Sequence, residues 1–300
     1  MNKKKQLAYL QAVLSMAFWA LTFVWIKIAF IWYKPLEIVF LRLLLASVLL
    51  ILFALLTKHK EQPHGKDIWQ FALVAFFEPF CYFMGEANGM QFVSPTLGSL
   101  IISLIPLVTV FAAWLFLKEK VTLRLFIGLI ISLFGVGLLV CTSGEMRATL
   151  KGVALLLGAV LGGTCYGLSV RRLTLKYTTL TIVLWQNVFG TLYFLPFFLL
   201  VNGKHFFTMQ HSAKGLLTIS AMSIFASVGA FVLYTGVIRE LGVIKSNLFT
   251  NLIPVLTALS AFILLGEVPT WRAVFGIILV ITGLFISQAK DMRSAFLPYD

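Results

Sequence analysis

The sequence predicts an all-α integral membrane protein of ten transmembrane helices, arranged as two inverted five-helix repeats. Composition, the length of the apolar stretches and an internal repeat together predict this fold class. Of the 300 residues, 60% are hydrophobic and 12% are charged, whereas a soluble domain has about 45–50% and about 25%. A soluble surface of this size needs far more charge. The composition therefore excludes an ordinary soluble domain.

Ten apolar stretches of about 17–25 residues follow one another, the length that a helix needs to cross about 30 Å of hydrocarbon. The first is longer than the apolar core of a signal peptide, and we expect it to be retained as a spanning helix. Most connecting loops are too short to fold independently. The predicted spans are residues 7–31, 36–56, 69–90, 95–117, 123–141, 152–173, 179–200, 215–238, 243–265 and 271–287.

Lys and Arg residues predict the orientation of these spans. With a cytoplasmic N-terminus, sixteen of the Lys and Arg residues in the loops and at the ends of the spans fall on the cytoplasmic side and six on the other. Such a bias is the positive-inside signal of a membrane protein. We therefore expect a multi-pass protein of the cell (inner or plasma) membrane with both termini in the cytoplasm. The same bias accounts for the net charge of +13 without a nucleic-acid partner.

The second half of the chain repeats the first at an offset of 148 residues. Residues 99–139 align with 247–287 without a gap, and 13 of the 41 pairs are identical. Apolar composition explains matched Leu and Ile, but not matched Pro, Glu, Thr, Arg and two Gly. Because each half holds five helices, an odd number, the second half enters the membrane from the opposite side. Many secondary transporters are built from such inverted repeats.

The repeat carries a signature of the same spacing in both copies. In the first copy it is Ile105, Pro106, Thr109, Leu117, Glu119, Thr122, Arg124, Gly128 and Gly135. This signature resembles the EamA domain, and two such units in ten helices look like the drug/metabolite transporter superfamily. The resemblance implies EamA-like repeats over residues 7–142 and 151–288. It also implies an exporter of metabolites, amino acids or drugs, with a central cavity lined by the first, third and fourth helices of each half. We interpret Glu119 and its counterpart Glu267 as structural residues of a turn.

Three prolines lie near the middle of predicted spans: Pro79, Pro106 and Pro254. Proline lacks an N–H and collides with the carbonyl four residues earlier, so it interrupts a helix. Interruptions at corresponding positions of two repeats point to a transport site, and Pro106 and Pro254 correspond. The alternative is a packed kink without ligand contact, since proline is common in membrane helices.

Polar residues precede two of these prolines in register. Ser99 and Ser103 align with Asn247 and Asn251, and each pair is spaced i, i+4 on one helix face. The favoured interpretation is that all four line a cavity. The alternative is hydrogen bonding between helices, worth roughly 0.6 kcal/mol per contact.

Charged residues within the spans are the sharpest candidates for chemistry. Glu78, Tyr82 and Glu86 are spaced i, i+4, i+8 and predict one stripe of the third helix. Intramembrane ionisable groups are costly and indicate function by default. Arg42 lies at a depth similar to that of Glu86, and we expect these two to pair. Glu78 has no basic residue at its depth, which favours proton coupling or a counter-ion for a cationic substrate. A neutral carboxyl hydrogen-bonded between helices is the alternative.

Aromatic residues provide the remaining candidates. Trp19 and Tyr166 occupy comparable places in the first and sixth helices, and Tyr234 lies in the eighth. Together with the polar and charged candidates they form the predicted substrate-binding set. Phe23 and Trp185 are weaker candidates, because a chain with 14% aromatic residues has many packed and interfacial rings.

The sequence thus predicts a secondary transporter, with export and proton coupling as open features and a small molecule and membrane lipid as partners. A passive facilitator or channel remains an alternative. A polytopic enzyme is disfavoured because no hydrolase, zinc-peptidase or nucleotide-binding motif is present and all four His fall in loops. We expect no catalytic residue, no cofactor and no metal, and the three Cys lack metal-ligand spacing. A monomer is compatible with the sequence.

Overall fold

The computed structural model describes residues 3–59, 61–93, 95–117, 122–141, 149–265 and 271–296, and this part contains helices and no strands. Apolar stretches without alternation explain that outcome. The helices are α1 (Lys3–Ala29), α2 (Pro35–Leu56), α3 (Ile68–Ala75), α4 (Tyr82–Gly89), α5 (Pro95–Ile102), α6 (Ile105–Leu117), α7 (Leu123–Cys141), α8 (Leu150–Thr174), α9 (Thr179–Phe197), α10 (Gly203–Thr208), α11 (Ala213–Ala221), α12 (Phe231–Leu241), α13 (Val243–Leu248), α14 (Leu252–Leu265) and α15 (Trp271–Phe296).

Several predicted spans consist of two helices. A π-helical segment, Phe76–Cys81, joins α3 to α4, and another, Met222–Ala230, joins α11 to α12. The fourth span breaks between α5 and α6, and the ninth has a 3-10 turn, Phe249–Asn251, between α13 and α14. The two breaks occupy corresponding places in the two halves.

Six helical stretches of the described chain are long and apolar enough to cross a membrane. Length and composition are the criteria, since about 20 apolar residues span the hydrocarbon core. Two shorter apolar stretches, Leu123–Gly135 and Val274–Ser287, belong to α7 and α15. The count of ten spans remains a prediction from the sequence. The six are Lys4–Ala29, Pro35–Leu56, Ile68–Gly89, Leu150–Thr174, Thr179–Thr208 and Ala213–Leu241.

Helix contacts follow a two-fold pattern. Helix α1 of the first half packs against α12 and α14 of the second, and α8 of the second half packs against α4 and α6 of the first. Each contact of one half therefore has its counterpart in the other. Helices α2 and α9, which are also counterparts, pack against each other. The core of the bundle lies between the two halves.

Counterpart helices α7 and α15 pack through glycines and run antiparallel. A Cβ added to Gly128 would lie 2.5 Å from the Gly283 carbonyl oxygen, and one added to Gly135 would lie 2.7 Å from that of Gly276. Positions advance along α7 as they retreat along α15, which defines opposite directions. Small residues allow such close approach of two membrane helices. Opposite directions for equivalent helices are what an inverted repeat requires.

The structure corrects one expectation from the sequence, on the segment after α9, and does not describe the two turn glutamates. The segment after α9 was expected to be a loop, yet it contains α10, whose start is tied down by side chains. Asn202 Nδ2 donates to Glu37 Oε1 at 3.1 Å, and His205 Nδ1 contacts the same oxygen at 2.7 Å. Glu119 and Glu267 lie outside the described residues, so the turn interpretation stays a prediction.

Candidate functional site

A cavity lies where the two halves meet, beside the interrupted helices. About 550 Å³ of empty space lies between its lining residues, including space that is open to the outside. The first, third, fourth, sixth, eighth and ninth predicted spans contribute to its wall, and the second adds an arginine. The lining residues are Trp19, Thr22, Phe23, Arg42, Glu78, Tyr82, Phe83, Glu86, Ile102, Ile105, Gly163, Tyr166, Tyr234, Asn247, Thr250 and Ile253.

Glu78 enters the cavity from a break in the helix rather than from a regular helical face. Its backbone is extended (φ −147°, ψ 116°), and the Glu78–Pro79 peptide is cis. Proline disfavours the helical conformation of the residue before it, which explains the extended backbone. The predicted helical stripe therefore holds for Tyr82 and Glu86 of α4, and Glu78 reaches the same cavity by a different route.

The candidates of the third span, Glu78, Tyr82 and Glu86, differ in the protein groups that they contact. Tyr82 Oη donates to Glu86 Oε1 at 3.0 Å. Glu78, 8% exposed, has no hydrogen-bond partner within the described chain. A buried carboxylate without a partner is costly, so Glu78 is the cavity group most in need of a proton or a cation.

Arg42 lies on α2 and is held by two contacts. Its Nε donates to Ser227 Oγ at 2.6 Å, and its Cζ lies 4.3 Å from the centre of the Phe83 ring. Arg42 and Glu86 line one cavity, but the expected ion pair does not form within 4.0 Å, because Ser227 and Phe83 hold the guanidinium instead. Acid–base contacts of that length in the described part join His59 to Glu61, Lys176 to Asp67 and His205 to Glu37.

Asn247 forms the polar part of the wall on the ninth span. Its Nδ2 donates to Thr109 Oγ1 at 2.7 Å, and its Oδ1 accepts from Tyr234 Oη. Thr250 Oγ1 donates to the Asn247 carbonyl at 2.7 Å, at the end of α13. Asn247 thus lines the cavity and also links α6 to α12, so both interpretations of this residue apply.

The aromatic candidates form one cluster around the cavity. The Trp19 ring centre lies 4.9 Å from that of Tyr234 and 5.2 Å from that of Phe231, both edge to face. Tyr166 meets Phe231 edge to face at 6.0 Å, and its Oη donates to Gln186 Oε1 at 3.3 Å. Such pairs stabilise by about 0.5–1.5 kcal/mol beyond burial. Ring contacts therefore hold the aromatic part of the cavity wall together.

Three predicted polar residues lie outside the cavity lining. Ser99 and Ser103 are buried near the break between α5 and α6. Asn251 Nδ2 donates to Ser132 Oγ of α7 at 2.8 Å. Asn251 therefore serves helix packing in this structure, because a polar side chain next to another helix finds a partner there.

Two of the three prolines lie at the start of a helix, and the third lies in the segment between two helices. Pro106 and Pro254 fall in the first turns of α6 and α14, where a missing N–H costs nothing. Pro79 lies within the π-helical segment between α3 and α4. Each break stands beside cavity-lining residues, which is the arrangement expected of a transport site.

Basic residues close the two ends of the bundle. At the end where α1 and α4 terminate, Lys27 Nζ donates to the carbonyls of Met90 at 2.6 Å and Val93 at 3.1 Å. Cations near a helix C-terminus satisfy its free carbonyls. This contact therefore joins the first span to the end of the third.

The other end, where α8 and α12 terminate, carries a reciprocal pair of contacts that we name the arginine latch. Arg171 Nη1 donates to the carbonyls of Ile238 at 2.6 Å and Arg239 at 2.7 Å. Arg239 in turn donates from Nε to the Thr174 carbonyl at 2.7 Å and to the Tyr177 carbonyl. Each arginine caps the helix of the other.

Sequence reasoning left out several lining residues. Thr22 and Thr250 carry hydroxyl groups at the cavity, and Phe83 holds Arg42. The alignment offered one clue, since Thr250 lies within the repeated segment before Pro254. The apolar members Ile102, Ile105 and Ile253 look like any buried isoleucine, and composition alone does not distinguish them.

Known proteins match this chain over most of its length. A model of the EamA-like transporter family matches residues 6–141 and again residues 150–288. The chain belongs to this family. Family and relatives are named as transporters and not as enzymes, so this EamA-like chain is a membrane transporter protein.

Proteins similar to this EamA-like transporter occur in several organisms. YdfC, an uncharacterized transporter of Bacillus subtilis (strain 168), is 26% identical over 293 residues, 97% of this chain and 94% of YdfC. A probable terminal-alkyne amino-acid exporter of Streptantibioticus cattleyicolor is 27% identical over 280 residues, 93% of each chain. A solved crystal structure with 15% identity superposes with a TM-score of 0.77 over 98% of this chain and 99% of its own, which shows the shared fold.

Proposed function

We propose that this EamA-like protein is a secondary active transporter that exports a small polar or amphipathic metabolite from the cell by alternating access. The observation that carries the proposal is the cavity between two antiparallel halves, placed beside interrupted helices and holding unpaired charges. Carriers with inverted repeats bind substrate at such a place and rock one half against the other. Both termini face the cytoplasm in this proposal.

Glu78 has the central role in the proposed cycle. It lines the cavity and forms no hydrogen bond with the residues that the structure describes, so it binds either a proton or a cationic group of the substrate in this proposal. The arginine latch joins two helices of the second half, and the Lys27 contact joins two spans of the first half at the opposite end of the bundle. Each contact restricts one route to the cavity in this proposal and opens by a rearrangement within its own half as access alternates. The repeat boundaries near residues 142 and 151 then separate the two moving halves.

Counterflow in proteoliposomes tests this proposal. L-leucine is the first probe, since the relative from Streptantibioticus is a probable amino-acid exporter. Vesicles preloaded with unlabelled leucine should accumulate labelled leucine transiently and saturably, at carrier rates. A pH gradient imposed on the same vesicles should change that rate if Glu78 carries the coupling proton. Non-saturable flux without counterflow would contradict a carrier and indicate a passive facilitator or channel.

A further inference from the structure

Arg42 presents a fixed guanidinium to the cavity. The side chain is 3% exposed and lies on α2. Ser227 of the eighth span accepts from Nε, and Phe83 of the third span covers one face of the group. Its position is therefore set from two neighbouring spans, whereas its charge is not neutralised by either.

Most of the donors of Arg42 have no acceptor among the residues that the structure describes. A guanidinium carries five N–H groups in a rigid fork, and the only one engaged within the described chain is that on Nε. Neither Nη atom is both fully buried and without a hydrogen-bond partner. Their four N–H groups are therefore accessible from the cavity. Fully buried side-chain atoms without a hydrogen-bond partner belong, in the described part, to residues such as Gln70, Thr164 and Asn251, and Arg42 is not among them.

Negative groups line the same cavity without meeting Arg42. Glu86 accepts one hydrogen bond, from Tyr82, and Glu78 accepts none within the described chain. No ion pair within 4.0 Å joins either carboxylate to the guanidinium among these residues. Burying separate charges of both signs costs several kcal/mol per ion when they are unpaired. A ligand that carries both charges would remove that cost for both.

We propose that Arg42 is the carboxylate-binding residue of the transport cavity and that the substrate is a zwitterion. The two Nη atoms bind the planar carboxylate in parallel, a geometry that guanidinium matches and ammonium does not. The cationic amine of the substrate points to Glu78 and Glu86. A simple amine is repelled by Arg42, and a simple carboxylate is repelled by the two glutamates. The inference rests on the proposed function only in taking this cavity as the substrate site.

Binding to the purified full chain in detergent tests the inference. Four probes share a branched aliphatic tail and differ in charge: L-leucine, L-leucinamide, isopentylamine and 4-methylpentanoate. Isothermal titration should give a dissociation constant for leucine at least tenfold lower than for each of the others. Arg42→Gln should weaken leucine binding at least tenfold, whereas leucinamide binding should stay equal or become tighter because the repelling charge is gone. Arg42→Lys keeps the positive charge but lacks the planar guanidinium with its parallel donors. Its affinity for leucine should lie between that of the parent protein and that of Arg42→Gln.

Two further variants keep the test sharp. Arg272→Gln removes an exposed arginine that contacts the Trp271 ring, and it should leave all four affinities unchanged. Ser227→Ala frees the Nε of Arg42 and should weaken leucine binding about threefold, with leucinamide unaffected. This variant serves if Arg42→Gln fails to fold, as judged by its melting temperature and gel-filtration profile.

The outcomes separate this inference from the proposed function. Equal binding of leucine and isopentylamine, unchanged leucine preference in Arg42→Gln and Ser227→Ala, or binding of none of the four probes each overturns the inference. Leucine counterflow with equal affinity for isopentylamine would leave the carrier intact and refute the carboxylate site. Selective leucine binding without counterflow would support the carboxylate site and refute the carrier.

Discussion

Gly128 of α7 and Gly283 of α15 face each other so closely that neither has room for a side chain. A Cβ on Gly128 would lie 2.5 Å from the Gly283 carbonyl oxygen, and a Cβ on Gly283 would meet the Gly128 carbonyl oxygen in the same way. The contact is reciprocal because the two helices are counterparts in an inverted repeat. This glycine pair therefore forms a direct contact between the two halves of the transporter, which are related by a pseudo-two-fold axis.

Gly283→Ala should destabilise the protein. Its Cβ would collide with backbone atoms of α7, which have no flexible end to move aside, and overpacking of this kind costs roughly 1–3 kcal/mol. Gly137→Ala on α7 is the matched control, since a Cβ there meets nothing within 4 Å. Thermal melting in detergent should fall by several degrees for Gly283→Ala and stay equal or rise for Gly137→Ala. Equal melting of both variants would contradict the glycine contact.

Glu78→Gln should abolish or uncouple transport while expression stays normal. The amide keeps the shape of the side chain and removes the charge and the titrating proton. Leucine counterflow should fall at least about tenfold, which corresponds to about 1.4 kcal/mol. Glu240→Gln removes an exposed carboxylate of α12 and should leave counterflow unchanged. Normal transport by Glu78→Gln would end the proposed role of this residue.

Arg171→Gln should open the end of the bundle that the arginine latch closes. The change removes two charge-assisted hydrogen bonds to the end of α12, each worth roughly 1.5–3 kcal/mol. A Thr250→Cys reporter in the cavity, with native cysteines replaced by alanine, should then react with a maleimide from the cytoplasmic side at least about tenfold faster. Arg172→Gln alters the exposed neighbour and should not change that rate. An unchanged rate in Arg171→Gln would exclude a gating role for the latch.

Asp67 should contribute stability that is lost in acid. The hydrogen bond from Tyr177, together with Lys176, holds the pKa of this carboxylate below its ordinary value. A pKa lower in the folded state means that the stabilisation is present at neutral pH and declines as pH falls below about 4. The melting temperature of Asp67→Asn should therefore fall less between about pH 6 and about pH 3 than that of the parent. Glu240→Gln should follow the parent, and parallel curves for all three proteins would refute the assignment.

The sequence predicted the helical fold and its internal symmetry because both are written in periodic features. Spans show as apolar length, and the glycines of α7 and α15 appear as identities at the 148-residue offset. Local breaks were harder to predict in detail. The π-helical segment at Pro79 and the helix α10 after α9 depend on contacts between distant residues, such as that of Glu37 with His205.

The candidate site was predicted in part for a similar reason. Charged and aromatic residues such as Glu78 and Trp19 stand out in an apolar sequence, and both line the cavity. Depth along a helix suggested that Arg42 pairs with Glu86, but depth says nothing about rotation around the helix axis. Ser227 and Phe83 determine where the guanidinium points, and no spacing rule links them to Arg42.

The opposite insertion of the two halves is the central claim, and Arg124 and Arg272 test it most directly. They are aligned residues of the repeat, both exposed, at the starts of α7 and α15. Single cysteines at these two positions, labelled in intact cells with a membrane-impermeant maleimide, should differ: Arg272→Cys reacts from outside, and Arg124→Cys reacts only after the membrane is permeabilised. Reaction of both cysteines from the same side would contradict the inverted repeat and the alternating-access carrier built on it.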